Sequence, residues 1–182
     1  MAAIDLDSKA QKPKSLGMWL FILSDAFTFA SLIAASVYIR LGSDGWPRPF
    51  TWSNVAYAFL MTIVLGLSSY TMIRAVRTGG QKWLMMTIGL GIAFLALHGY
   101  EWSRLIGEGI KPWSTGTFGA SFFGITGLHM LHVLAGVILL GVMAVGRKRF
   151  AAEDIELSGL YWQFVDVVWL FVFVFLYVLS VG

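Results

Sequence analysis

The sequence contains no cysteine, and it has few charged residues. Only 13% of its 182 residues are Asp, Glu, Lys or Arg, against roughly 25% in an ordinary soluble domain. Without cysteine, this chain cannot form disulfides, thiolate copper centres or iron–sulfur clusters. The shortage of charge, together with 58% hydrophobic residues, indicates an integral membrane protein rather than a soluble domain.

Five apolar stretches lie between the charged clusters, at about 17–39, 52–73, 83–105, 118–146 and 157–180. Each is long enough to cross about 30 Å of hydrocarbon as a helix that rises about 1.5 Å per residue. The predicted fold class is therefore all-α, an integral membrane bundle of five transmembrane helices over residues 17–182, with residues 1–16 as a cytoplasmic N-terminal tail. The first stretch is too long for the apolar core of a cleaved signal peptide, so we expect it to remain as a spanning helix.

Lysine and arginine are distributed unevenly between the two ends of these helices. One end carries nine of them, namely Lys9, Lys12, Lys14, Arg74, Arg77, Lys82, Arg147, Lys148 and Arg149. The other end carries Arg40, Arg48, Arg104 and Lys111. Because the excess marks the cytoplasmic side, we expect a cytoplasmic N-terminus and an external C-terminus at Gly182. The net charge of +3 is thus explained by topology, and no nucleic acid partner is expected.

Ionisable side chains within the apolar stretches are the candidate functional residues. An ionised group at the bilayer centre costs at least about 2.5–3.5 kcal/mol, so such groups face the bundle interior and form pairs. Counting helical rise from the ends of the stretches sorts them into two depths. The predicted inner polar cluster contains Asp25, His132, Gln163 and Asp166, and the predicted outer polar cluster contains His98, Glu101 and His129.

The spacing of these residues also raises the question of a metal or haem site. His98 and Glu101 are three residues apart, as are His129 and His132, and metal sites in helical bundles use this spacing. However, the predicted depths of Glu101 and His132 differ by about 12 Å, far more than metal–nitrogen bonds of about 2.0–2.1 Å can bridge. We therefore expect no metal and no catalytic residue in this chain. Structural polar contacts, a lipid site and a proton relay remain open as roles.

Four segments together resemble one known family. They are "GMWLFILSDAFTF", "HGYEW", "FFGITGLHMLHVLAG" and "GLYWQFVDVVWLFVF", and in this order they resemble subunit III of the haem–copper oxidases in its short five-helix form. Three positions depart from the family pattern. Asp25 stands where the family usually has Glu, His98 replaces a Gln, and Gln163 replaces a His.

The resemblance implies an accessory, non-redox subunit III of a respiratory terminal oxidase, an aa3-type cytochrome c oxidase or a quinol oxidase. It implies oxidase subunit I, subunit II and further small membrane subunits as partners, with haem and copper in those partners and no cofactor in this chain. The expected role is to stabilise the catalytic subunit and to support proton uptake in aerobic electron transport, in a bacterial inner membrane. The resemblance also implies bound phospholipid, for which the candidate residues are Asp25, Trp19, Trp102 and His132.

Two alternatives to an oxidase subunit remain. A subunit III-like accessory or assembly protein of nitric oxide reductase would share the short form and its motifs. A small membrane transporter with an acidic gate is further away, because the five predicted helices are unbroken, odd in number and without paired Gly/Pro interruptions.

Overall fold

The chain folds into an α-helical bundle. The computed structural model describes residues 3–43, 46–47, 49–113, 115–146 and 150–181, with side chains from residue 14 onward. Within these ranges, five helices are long and apolar enough to cross a membrane. They are α1 (Ala3–Leu41), α2 (Trp52–Thr78), α3 (Gln81–Gly107), α4 (Gly116–Val145) and α5 (Ala152–Val172). The prediction of an all-α bundle of five apolar helices is confirmed.

The orientation of the bundle in the membrane stays a prediction. Several residues on which it depends lie outside the described residues, namely Arg48, Arg147, Lys148, Arg149 and Gly182, as do the side chains of Lys9 and Lys12. The structure does place the start of the apolar span of α1, at Lys14, and the start of α5 at one end of the bundle. Lys14 Nζ lies 3.1 Å from Asp154 Oδ1 there.

Polar segments at the helix ends are more helical than we expected. Part of the predicted tail, residues 1–16, is helical, because α1 extends back to Ala3. The predicted connection between the second and third helices shrinks to Gly79 and Gly80. Gly79 takes the left-handed conformation, with φ 61°, which glycine adopts without steric cost.

The end of α5 differs from the single helix predicted over 157–180. After Val172 the chain forms a π-helical turn over Phe173–Tyr177 and a short 3₁₀ turn over Val178–Ser180. One extra residue in a helical turn shifts the phase of all later side chains by about 100°. The shift turns Tyr177 towards the face that carries Trp169, and both side chains are fully buried.

The Trp162 side chain on α5 organises the centre of the bundle. Its indole lies against Gly91 on α3 and Gly136 on α4, where a Cβ atom would come within 2.8 and 2.9 Å of the ring. Its Nε1 donates a hydrogen bond to Ser68 Oγ on α2, at 3.0 Å. Four helices are therefore joined at one side chain. By contrast, α1 packs on the outside against α4 and α5.

Replacing Gly136 with alanine tests this packing. A methyl group there meets two indole carbons at 2.9 Å, so we expect Gly136→Ala to lower the free energy of unfolding by about 1–3 kcal/mol. Gly141→Ala on the same helix is the control, because nothing lies within 4 Å of the added atom. Thermal unfolding in detergent, followed by circular dichroism, measures both. Equal effects of the two substitutions would contradict close packing at Trp162.

Candidate functional site

Asp25 on α1 and His132 on α4 form a hydrogen-bonded pair between the two helices. His132 Nε2 lies 3.0 Å from Asp25 Oδ2, and the other ring nitrogen, Nδ1, lies 2.8 Å from the carbonyl oxygen of Leu128. The Asp25 side chain keeps 19% of its surface exposed, and the His132 side chain keeps 17%. The pair is therefore mostly, but not fully, buried.

These hydrogen bonds determine how many protons the pair carries. A carbonyl oxygen can only accept, so His132 Nδ1 must donate its hydrogen to Leu128. A neutral imidazole then has a bare Nε2, which Asp25 can approach only as a protonated carboxyl that donates. A carboxylate that accepts from an imidazolium fits the same contacts. In both arrangements one hydrogen lies between Nε2 and Oδ2, and neither arrangement gives the pair a net charge.

Aromatic side chains surround this pair. Phe29 on α1 packs edge-on against the His132 ring, with centroids 5.2 Å apart. The hydroxyl of Tyr161 on α5 donates to the backbone oxygen of His132 at 2.9 Å, and the Tyr161 ring lies 5.9 Å from the Phe21 ring. The pair thus lies where α1, α4 and α5 meet.

The other two residues of the predicted inner cluster face α2 instead. Ser69 Oγ donates to Asp166 Oδ2, and Gln163 Nε2 donates to the backbone oxygen of Ser69 at 3.2 Å. Sequence reasoning missed Ser69. The available signal was a pair of adjacent serines in the middle of an apolar stretch, since hydroxyl groups are common hydrogen-bond partners between membrane helices.

The predicted inner cluster is therefore divided into two groups. Among the residues that the structure describes, no hydrogen bond joins the Asp25–His132 pair to Gln163 or Asp166. The physical reason is helix rotation. Equal depth brings side chains together only when their helices turn them towards each other, and α5 turns Asp166 towards α2.

The predicted outer cluster surrounds two aromatic side chains of the last helix. Tyr177 donates to Glu101 Oε2 at 2.6 Å, and both groups are buried. His98 and His129 are fully buried and flank the Trp169 indole, with ring centroids 5.4 and 5.2 Å away. Sequence reasoning missed Tyr177, because the π-helical turn that directs it inward cannot be recognised from an apolar stretch.

The outer histidines make packing contacts rather than hydrogen bonds. Within the described ranges, the ring nitrogens of His98 and His129 and the Oε1 atom of Glu101 have no hydrogen-bond partner. In the same part of the chain, no group of three or more His, Asp or Glu residues is arranged to hold a metal ion. What the geometry offers here is a buried aromatic and imidazole cluster that connects α3, α4 and α5.

The four candidate lipid-binding residues do not lie together. Trp19 lies near the start of the α1 span and is 55% exposed. Trp102 lies near the end of α3 and packs against Phe123 with ring centroids 5.0 Å apart. Because successive helices alternate in direction, the two indoles are near opposite ends of the bundle. A lipid contact at Asp25 and His132 stays a prediction.

Comparison with known proteins matches nearly the whole chain to one family. A family model described as cytochrome c oxidase subunit III matches residues 6–181. The chain is 33% identical to the cytochrome bo(3) ubiquinol oxidase subunit 3 of Pseudomonas putida, over 91% of this chain and 86% of the relative. It is 30% identical to the cytochrome c oxidase subunit 3 of Alkalihalophilus pseudofirmus, over 94% of this chain and 89% of the relative. It is also 30% identical to the probable quinol oxidase subunit 3 of Staphylococcus aureus, over 96% and 94%.

Two substitutions of Asp25 test the pair with His132. In Asp25→Asn the amide can donate to a bare His132 Nε2, so we expect the free energy of unfolding to change by less than about 1 kcal/mol. In Asp25→Ala this partner is lost, and we expect a loss of about 1–3 kcal/mol. Thermal unfolding of the two variants measures the difference. If Asn were as damaging as Ala, the proton would belong to the imidazole and the pair would be ionic.

A third substitution tests the outer contact. Tyr177→Phe leaves Glu101 Oε2 buried without its donor, which should lower the free energy of unfolding by about 1–3 kcal/mol. Tyr38→Phe is the matched control, because Tyr38 is 80% exposed. The same unfolding measurement compares them, and an equal response would show that the Tyr177 hydroxyl contributes nothing specific.

Proposed function

Because the chain belongs to the cytochrome c oxidase subunit III family and is an accessory subunit of a haem–copper oxidase, we propose that it stabilises the catalytic subunit of that oxidase and supports its proton uptake. The family match over nearly the full chain carries this proposal. The partner complex is a respiratory terminal oxidase with oxidase subunits I and II, in which haem and copper belong to the partner subunits. The relatives named above include both quinol and cytochrome c oxidase subunits.

The proposed location is the inner membrane of a bacterium, with a cytoplasmic N-terminus. The nine lysine and arginine residues near one end of the helices, against four near the other, support this orientation. The bacterial source of the relatives supports the membrane. In this orientation the Lys14–Asp154 ion pair lies at the cytoplasmic end.

The proposed phospholipid contact is supported by the surroundings of Asp25. An open cleft of about 730 Å³ between α1 and α5 begins at Ala26, the next residue, and extends to Leu41. Apart from the Tyr38 side chain, its lining residues are apolar, which suits acyl chains. The Asp25–His132 pair has no hydrogen left to donate, because Nδ1 donates to Leu128 and the other hydrogen lies between the two side chains. The lipid would therefore donate a hydrogen bond to the Asp25 carboxyl from a hydroxyl or ammonium group of its headgroup.

Removal of the subunit tests its contribution to the complex. We expect an oxidase stripped of this chain to begin turnover near its normal rate and then to lose activity over successive turnovers faster than the intact enzyme. We also expect a lower pH optimum, because limiting proton delivery is relieved at higher proton concentration. Oxygen-consumption progress curves at several pH values measure both effects.

The control is the stripped enzyme after this subunit has been added back. Restored progress curves would support the proposal. Complete loss of the first turnovers on stripping would indicate a direct catalytic role, and identical curves before and after stripping would indicate a role in assembly alone. Co-purification in mild detergent identifies the partner subunits independently.

A further inference from the structure

A second cleft lies between α2 and α5, and its lining combines two charged residues and one amide with the apolar residues Met72, Ile73, Val76, Gly159 and Leu160. It has a volume of about 240 Å³. Two exposed charged residues of opposite sign, Arg77 and Glu156, line it near the ends of their helices. Gln163 lines it two helical turns further along α5. The cleft thus connects a charged helix end to an amide inside the apolar span.

The inner end of this cleft contains polar atoms that need hydrogen bonds. Gln163 uses its Nε2 atom to donate to Ser69, while no described residue donates to its Oε1 atom. One helical turn further, Asp166 is 9% exposed. Its Oδ2 accepts from Ser69, and its Oδ1 has no hydrogen-bond partner among the described residues. Polar oxygens without donors inside a membrane are costly unless water reaches them.

The dimensions of the cleft allow water to meet this need. The 240 Å³ of accessible space is well above the roughly 10–15 Å³ that a single water needs on the same measure, so the cleft has room for several waters. Close contact between the helices borders the cleft at Gly159, where a Cβ atom would lie 2.8 Å from Val76 Cγ2. The space therefore lies between two helices that are firmly packed beside it, with a charged mouth and polar groups at its inner end.

We propose that the α2–α5 cleft is a water-filled inlet that reaches from the N-terminal side of the bundle to Gln163, and so brings water to within one helical turn of the Asp166 carboxyl. The N-terminal side is identified by the ion pair between Lys14 and Asp154, since α5 begins there. The residues that face the inlet or Asp166 with polar groups are Ser69 and Arg77 on α2, and Glu156 and Gln163 on α5. The inlet offers a hydrated carboxyl for the proposed support of proton uptake, but its existence does not depend on that function.

Cysteine accessibility in the assembled oxidase tests the inlet. The natural chain has no cysteine, so any label on this subunit reports an introduced thiol. We would make Leu160→Cys and Gln163→Cys, two residues that line the cleft. A membrane-impermeant maleimide should label both, because the thiolate that reacts forms in water and is suppressed in apolar surroundings. Mass spectrometry of the isolated subunit measures the extent of labelling.

The matched control is Ile92→Cys on α3. Ile92 lies as many residues after the start of α3 as Gln163 lies after the start of α5, and it is 53% exposed on the outside of the bundle. We expect the cleft cysteines to be labelled at least about ten times faster than this control. Leu160→Cys retains every hydrogen bond of Gln163, so it remains informative if Gln163→Cys disturbs folding.

If Leu160→Cys were labelled no faster than Ile92→Cys, the proposal of a water-filled inlet would be wrong. Such a result would mean that lipid or a partner subunit fills the cleft. The reagent is added to vesicles from one side at a time. Labelling from the N-terminal side alone supports the inlet, while labelling from the opposite side alone overturns its direction. Co-purification of the variants with the oxidase is scored separately, so a failure of the proposed function is distinguishable from a failure of the inlet.

Discussion

The Trp162 indole occupies the point where four helices of the bundle meet, and the positions of the polar groups depend on it. Gly91 and Gly136 have no side chains, so α3 and α4 can approach the ring closely. The hydrogen bond to Ser68 fixes the rotation of α2 relative to α5. The neighbouring Ser69 then faces α5 as well, which is why it is available to the α5 side chains beyond Trp162.

The ionisable residues connect helices in pairs rather than gathering at one centre. Asp25 with His132 connects α1 to α4, and Glu101 with Tyr177 connects α3 to the turn after α5. In a medium of low polarity a hydrogen bond between two side chains removes the cost of burying each of them alone. Such an arrangement suits an accessory subunit that holds a precise shape beside a catalytic partner.

The two clefts on either side of α5 differ in the medium that they can accommodate. The cleft towards α1 is lined by alanine, valine and aromatic side chains, so it can hold hydrocarbon without leaving a polar group unpaired. The cleft towards α2 contains Arg77, Glu156 and Gln163, whose polar atoms require water. One helix therefore separates an apolar cleft from the proposed water inlet, and Asp166 lies one helical turn beyond Gln163 at the inner end of that inlet.

The sequence by itself determined the number of helices and their approximate limits, and it predicted a depth for each ionisable side chain, because hydropathy and helical rise are properties of a local stretch. It placed Asp25, His132 and Asp166 at one depth, but depth is a single coordinate. Only the tertiary structure decided the partners, since these depend on how each helix is rotated against its neighbours: Asp25 meets His132, whereas Asp166 meets Ser69. The contact of Tyr177 was also hidden from the sequence, because the π-helical turn that directs it inward is selected by packing and not by the composition of the stretch.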